Sequence, residues 1–336
     1  MQEPQRAPNA EVPKPSTRPG DGGRRPSNRR RDERPVDTER VDAVLAWAAE
    51  VADDPQAIDG PTPPRPTPGE LRAYPLDRLR AELDDVIVHR NADHALEALQ
   101  RMGVFAAWIP EVDAMVGFGD GEWRHKDVWK HTKQVVKQSV PRLAVRWGAL
   151  LHDIGKPKTR SVDARGEVHF YGHSEVGAAM FRKRVAKRLG FEGFLYERIH
   201  FLILHHLRAS QYEPKWTDSA VRRLAKEMGD GLDDLLCLSR ADITTKRPER
   251  RRRGLRQISA LARRIADIQA QDAKVAPLPK GLGTAIIDHF GIPPSKRVGD
   301  LKKALEAKVD AGELEPGQDD AYYVAWMDAH RDELGL

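Results

Sequence analysis

Leu150-Leu151-His152-Asp153-Ile154-Gly155-Lys156-Pro157 sets an imidazole and a carboxylate side by side where an apolar segment meets a glycine turn. Adjacent side chains on a helix point about 100° apart, so His152 and Asp153 converge on one point only at a helix end, and Gly155-Lys156-Pro157 supplies that end. A carboxylate following the apolar Gly148-Ala149-Leu150-Leu151 run is costly to bury unless it is paired. The pair therefore predicts a metal corner.

Further candidate ligands flank it: Asp127 and His131 before it, then His173, His205, His206 and Asp242. Asp127 precedes His131 by four residues, a spacing that puts both on one helix face, although Asp127 also reads as a cap or as a balance for Lys126 and Lys130. Asp242 follows the apolar Leu235-Leu236-Cys237-Leu238 run, another expensive place for an unpaired carboxylate. Nitrogen and oxygen donors without thiolate suit Mg, Mn, Fe, Co, Ni or Zn in a reactive centre rather than a structural zinc site. The expected cofactor is one to two divalent metal ions per chain. Lys156, one turn from Asp153, is a phosphate-binding candidate or a cation answering a helix C-terminus.

The order His, His-Asp, distant Asp resembles that of the HD-domain metal-dependent phosphohydrolases. The wider text, "HKDVWKHT", "RWGALLHDIGKPKTR", "FYGHSEVGA", "WTDSAVRRL" and "SRADITTKRPER", resembles the HD-containing C-terminal half of bacterial tRNA nucleotidyltransferases, the CCA-adding enzymes and poly(A) polymerase relatives, from about Leu71 to Leu314. That resemblance implies His131, His152, Asp153 and Asp242 as the minimal ligand set, and His173 and His206 as ligands of a second ion. It also implies Asp153 as both ligand and orienter of an attacking water. His205 is either a ligand or a core histidine, and Arg208 falls on the substrate side. His125, His169 and His200 read as surface, substrate-side or packing residues. No Gly-Ser-x-x-x-Arg segment with a paired-aspartate strand precedes Leu71, so the expectation does not extend to CCA addition.

Hydrophobic residues make up 40% of the 336-residue chain, no apolar run approaches a membrane span and no apolar signal core opens it, so a cytoplasmic protein without a membrane partner is expected. The single Cys237 excludes an internal disulfide and reads as a small buried apolar residue. A net charge of +5 permits an anionic partner without requiring one.

Residues 1–39, rich in Pro, Gly, Ser and Arg, are expected to be disordered. Residues 40–69 hold a short amphipathic helix around Val41–Ala49, docking on the body or on a partner, and a Pro-rich linker at Gly60–Gly69. From Leu71 the apolar spacing of three and four predicts an all-α fold, interrupted by breaks at 117–121, 163–167, 190–193 and 229–231 and by a brief alternation at Val168–Tyr171. The expected architecture is an HD-domain helical bundle over 70–275 and an added C-terminal helical element over 276–336, with a long basic helix from roughly Pro248 to Ala273.

Lys246-Arg247 and Arg250-Arg251-Arg252-Arg253 follow Asp242 closely, as either a solvated helix face or a grip on a polyanion. Arg24, Arg25, Arg29, Arg30 and Arg31 in the tail could add salt-sensitive RNA affinity. The function expected from these features and the resemblance is phosphodiesterase or phosphatase hydrolysis of nucleotides or RNA 3′ ends, such as 2′,3′-cyclic or 2′-phosphates. The competing expectations are a tRNA-like RNA-binding module with a structural metal, or a partner chain for a separate nucleotidyltransferase.

Overall fold

In the computed structural model, residues 38–119, 127–272 and 277–336 are described. The expected disorder and RNA affinity of the arginine tail, along with Lys126, His125 and residues 120–121 of the 117–121 break, lie outside them. Nearly all the described chain that is regular is helical, as the apolar spacing predicts, and no helix is long and apolar enough to cross a membrane.

The first helix, α1 (Glu39–Asp53), is longer than its apolar stripe suggests and docks on the body. It buries Val41, Val44, Leu45, Trp47, Ala48 and Val51 against α4 (Ala92–Arg101). Between them, α2 (Pro68–Ala73) carries a complete capping box built by Thr67 and Glu70, and α3 (Leu76–Val88) runs beneath α1. The Pro-rich connector therefore joins two parts of one core. Asn91 ties the end of α1 down by donating its side-chain amide to the Ala52 carbonyl at 2.7 Å.

After the short helices α5 (Val104–Trp108) and α6 (Pro110–Asp113), α7 (Val128–Gln138) buries Val128, Trp129, Thr132, Val135 and Val136 between α4 and α8 (Leu143–Leu151). Buried on all sides from Ala144 to Leu151, α8 is the central helix of the domain. Its one cation, Arg146, is 3% exposed and spends its guanidinium on the carbonyls of Val140, Ile87 and His89, which satisfies a charge that burial alone would make costly. Gly148 lets α12 (Gly193–His205) approach, since a Cβ there would lie 2.9 Å from Leu202 Cδ1.

Between α8 and α12 come α9 (Lys156–Thr159), the two-residue antiparallel strands β1 (Ser161–Val162) and β2 (Val168–His169), and α10 (His173–Met180), which runs through a π-turn into α11 (Ala186–Leu189). The alternation at Val168–Tyr171 thus becomes one arm of a small hairpin. Next come α13 (Asp218–Met228), α14 (Leu232–Ala241) and α15 (Pro248–Asp272), with α14 packed on α7, α8 and α15. A separate apolar cluster around Leu282, Ile286, Leu301, Leu305, Tyr323 and Met327 is formed by α16 (Leu282–Phe290), α17 (Lys296–Asp310) and α18 (Asp320–Ala329), which the four-residue α19 (Arg331–Leu334) follows.

Candidate metal centre

Helix α8 ends at Leu151, leaving His152 as its C-cap, and the chain turns over 152–155 into α9. Gly155 serves this turn differently from the expected helix-ending glycine: its φ is −77°, an ordinary value for any residue. Its missing Cβ matters instead, because an added carbon would sit 2.1 Å from the His173 carbonyl oxygen and 2.8 Å from Gly177 N. Only glycine lets the turn press against the first turn of α10, and that contact brings His173 to the corner.

Four other helix ends converge there. His131 lies one turn into α7, His173 opens α10, His206 caps α12 and Asp242 caps α14. Their ligand atoms form two groups, each within 4.8 Å internally: His131, His152 and Asp242, and Asp153, His173 and His206. His131 Nε2 lies 3.0 Å from Asp242 Oδ1 and 3.5 Å from Asp153 Oδ2, while His152 Nε2 is 3.2 Å from Asp153 Oδ2. His173 Nε2 is 3.5 Å from Asp153 Oδ1. The Asp153 carboxylate therefore faces both groups.

The tautomers follow from the backbone. His152, His173 and His206 each place Nδ1 against the carbonyl three residues back, of Ala149 at 2.8 Å, Phe170 at 2.7 Å and Ile203 at 2.8 Å. A carbonyl only accepts, so each Nδ1 carries a proton and each Nε2 faces the centre, where the neutral ring offers a lone pair. His131 Nδ1 is held at 2.9 Å from Thr244 Oγ1. Carbonyls and hydroxyls behind histidines are the arrangement that orients imidazoles toward a metal.

Two features show that the group fits a cation. His173 Nε2 and His206 Nε2 face each other at 3.1 Å, two acceptors that cannot hydrogen-bond while both Nδ1 atoms keep their protons. Buried His152 Nε2 and Asp153 Oδ1 also have no hydrogen-bond partner. Such orphaned donor atoms are expensive unless something positive satisfies them.

The electrostatics agree. Burial pushes His206 down to about 4, helped by neighbouring His152, and burial likewise lowers His173, so both are neutral at pH 7 and able to ligate. Burial also opposes the charge on Asp242, yet His131 and His152 hold its carboxyl down to about 2. Asp153 is held well below the usual carboxylate range: burial works against ionisation, but His152, Lys156 and His131 outweigh it. Burial lowers His152, and the two carboxylates overcome that and raise it.

Other candidates fall outside the cluster. Asp127 is the N-cap of α7, its Oδ1 accepting from Trp129 N at 2.9 Å and Lys130 N at 3.2 Å, so the capping reading accounts for its carboxylate. His205 lies against the Phe201 ring, 4.8 Å between centroids, apart from both ligand groups. Arg208 pairs with Glu227. Lys156 reaches the centre, but its ammonium is 2.6 Å from Asp153 Oδ2. His169 pairs with Asp163 in the hairpin turn, where Asp163 also accepts from the amides of Arg165 and Glu167. His200 stacks on Tyr196, and Cys237 is partly rather than fully buried.

A cleft of about 650 Å³ opens beside His131, bounded by α7 and by the segment leading from Thr244 into α15. Arg251 lines it, whereas Arg250, Arg252 and Arg253 do not, and Arg252 pairs with Glu249 at 2.7 Å. Sequence reading missed Thr244 and Gln134. Gln134 carried a usable signal, three residues after His131 on the same helix, but nothing local marks Thr244 as a partner of His131.

Residues 126–273 match the HD domain family. An A-adding tRNA nucleotidyltransferase of Deinococcus radiodurans is 29% identical over 269 residues, 77% of this chain and 60% of that protein. A CC-adding tRNA nucleotidyltransferase of Thermus thermophilus is 33% identical over 192 residues, 54% of this chain and 43% of the relative. A multifunctional CCA protein of Pseudomonas aeruginosa is 33% identical over 100 residues, 28% of the chain and 24% of its own length. The chain thus spans about 60% or less of each of these relatives.

Proposed function

From an HD domain that is homologous, over its HD-containing region, to tRNA nucleotidyltransferases, we propose a divalent-metal-dependent phosphohydrolase that acts on nucleotides or RNA 3′ ends, with 2′,3′-cyclic and 2′-phosphates as its substrate class. The observation carrying this reading is the convergence of four imidazoles and two carboxylates on one corner, with the Nδ1 atoms of His152, His173 and His206 tied to backbone carbonyls and their Nε2 atoms inward. His131, His152 and Asp242 would hold one ion and Asp153, His173 and His206 a second. A divalent ion there would supply positive charge to polarise a phosphoryl oxygen and to acidify water.

The chain's own groups have separable tasks. Asp153, 1% exposed and with an unpartnered Oδ1, can accept a hydrogen from water and aim its oxygen at phosphorus. Lys156, paired with the other oxygen, lies close enough to answer negative charge gathering on the phosphoryl group. Hydrolysis forms one bond from the water oxygen to phosphorus and breaks one phosphorus–oxygen ester bond, and the departing oxygen takes up a proton. The relatives' names support RNA over a free metabolite as the source of that ester.

The test is phosphate-ester turnover by chelated and metal-reloaded protein, using 2′,3′-cyclic AMP and 2′-AMP. Activity should disappear on chelation and return with Mn, Co, Ni or Mg. Turnover that ignores the chelator, or no turnover of either ester under any metal, overturns the reading.

A further inference from the structure

The cleft beside His131 has chemistry that the ligand cluster does not use. Lys130, Gln134 and Gln138 stand on successive turns of α7 along one wall, and Lys246 and Arg251 line the other. Its three cations meet a single carboxylate, Asp127, whose Oδ1 is occupied by the cap of α7 and whose Oδ2 is 3.8 Å from Lys130. Among the described residues Lys246 and Arg251 have no acidic partner. Among the described residues the side chain of Gln134 has no hydrogen-bond partner, and Gln138 donates its amide to the Ala241 carbonyl at 2.7 Å with its oxygen facing no described donor. Helix α15 begins at this rim with Pro248, so its dipole adds to the positive field.

About 650 Å³ is room for a nucleotide unit rather than for an inorganic anion, since pockets for molecules of that size run from about 300 to 1,000 Å³. His131 belongs both to the cleft and to the ligand cluster, so a molecule in the cleft adjoins the metal corner. We infer that the cleft seats the nucleotide next to the reacting one, with Lys130, Lys246 and Arg251 gripping its phosphate and Gln134 reaching an edge of its base. The ligand is then a single-stranded RNA end of at least two nucleotides, in preference to a free mononucleotide. This rests on the proposed function only for what reacts at the metal corner; the grip itself needs neither metal nor turnover.

That independence shapes the experiment. Binding of a fluorescein-labelled diadenylate with a 3′-phosphate is followed by anisotropy in chelator, with unlabelled 3′-AMP as competitor. Arg251→Gln and Lys246→Gln should each weaken diadenylate binding about tenfold and flatten its salt dependence by about 0.7 in log–log slope. Arg250→Gln and Arg252→Gln should stay within about twofold of the parent, as should 3′-AMP binding by the Arg251 variant. Circular dichroism identifies any variant that loses helix, and Lys246, outside the helices, supplies a second readout if the Arg251 variant does.

Wild-type binding unchanged in both the Arg251 and Lys246 variants overturns the inference. Equal weakening by Arg250→Gln or Arg252→Gln does the same, because the run would then act as a diffuse cationic face. No measurable binding of the diadenylate by the parent protein also overturns it. Binding that depends on Arg251 in a protein hydrolysing neither ester supports the cleft and removes the hydrolase; hydrolysis of a cyclic mononucleotide with no Arg251-dependent binding does the reverse.

Discussion

The two halves of the ligand cluster use similar side chains in different surroundings. In the half made by Asp153, His173 and His206 every member is buried, and each histidine is locked by a carbonyl three residues behind it. The half made by His131, His152 and Asp242 shares His152 with the core, yet the side chains of His131 and Asp242 keep 15% and 28% of their exposure. His131 is held by a hydroxyl from the connector after α14 and borders the cleft. Burial on one side favours neutral ligands with fixed tautomers; access on the other lets an anion approach. In the proposed hydrolase that difference would separate holding an ion from presenting it to a substrate.

The largest effect should come from the residue facing both halves. Asp153→Asn keeps the side-chain volume but removes the charge, and turnover of 2′,3′-cyclic AMP should fall at least about a thousandfold, roughly 4 kcal/mol in barrier. Helix content by circular dichroism should remain. A fall of less than about tenfold would mean that the two halves do not act through this carboxylate.

A smaller effect sharpens the division between holding and presenting. His173→Ala and His206→Ala should each reduce bound metal from about two ions to about one per chain, measured by elemental analysis, because they empty the buried group alone. Unchanged metal content in both variants would leave a single centre of His131, His152, Asp153 and Asp242, with the buried histidines packing residues.

The smallest effect concerns how the open half is positioned. Glu97 on α4 accepts from the Trp129 indole at 3.0 Å and pairs with Lys133, clamping α7 onto α4. Burial works to raise its carboxyl, but Lys133 and the Trp129 indole hold it below the ordinary 4.5. The folded-state value lies below the unfolded one, so this stabilisation is present above about pH 4.5 and is lost as pH falls through the folded-state value. Glu97→Gln should therefore cost about 1 kcal/mol in urea unfolding at pH 7, a difference that shrinks below pH 4.5, and metal content should stay unchanged. A cost independent of pH would attribute the effect to packing.

Part of the cluster was legible because its signals are local. An apolar helix running straight into His152-Asp153 can be read without a fold, and so can an expensive carboxylate after the apolar run of α14. Gly155 was legible as a turn but not as the reason His173 arrives, which depends on α10 packing against it. Asp127 stayed open between ligand and cap because four-residue spacing equally describes an N-cap and a shared face, and only the start of α7 puts its Oδ1 on the Trp129 and Lys130 amides. His205 and His206 are adjacent and chemically identical, and only the end of α12 separates one that turns inward from one that lies tilted against Phe201. The four arginines after Asp242 likewise form one run in sequence, although only Arg251 reaches the cleft.

By itself, the sequence determined the helical class and the His152-Asp153 turn with its nitrogen and oxygen donors, because apolar periodicity and the cost of burying a charge act over a few neighbouring residues. Tertiary structure alone decided which histidines turn inward, how Asp153 faces both groups and which cation lines the cleft. Those outcomes depend on where helices from distant parts of the chain end in space, and sequence spacing constrains direction along one helix but not the packing of one helix end against another.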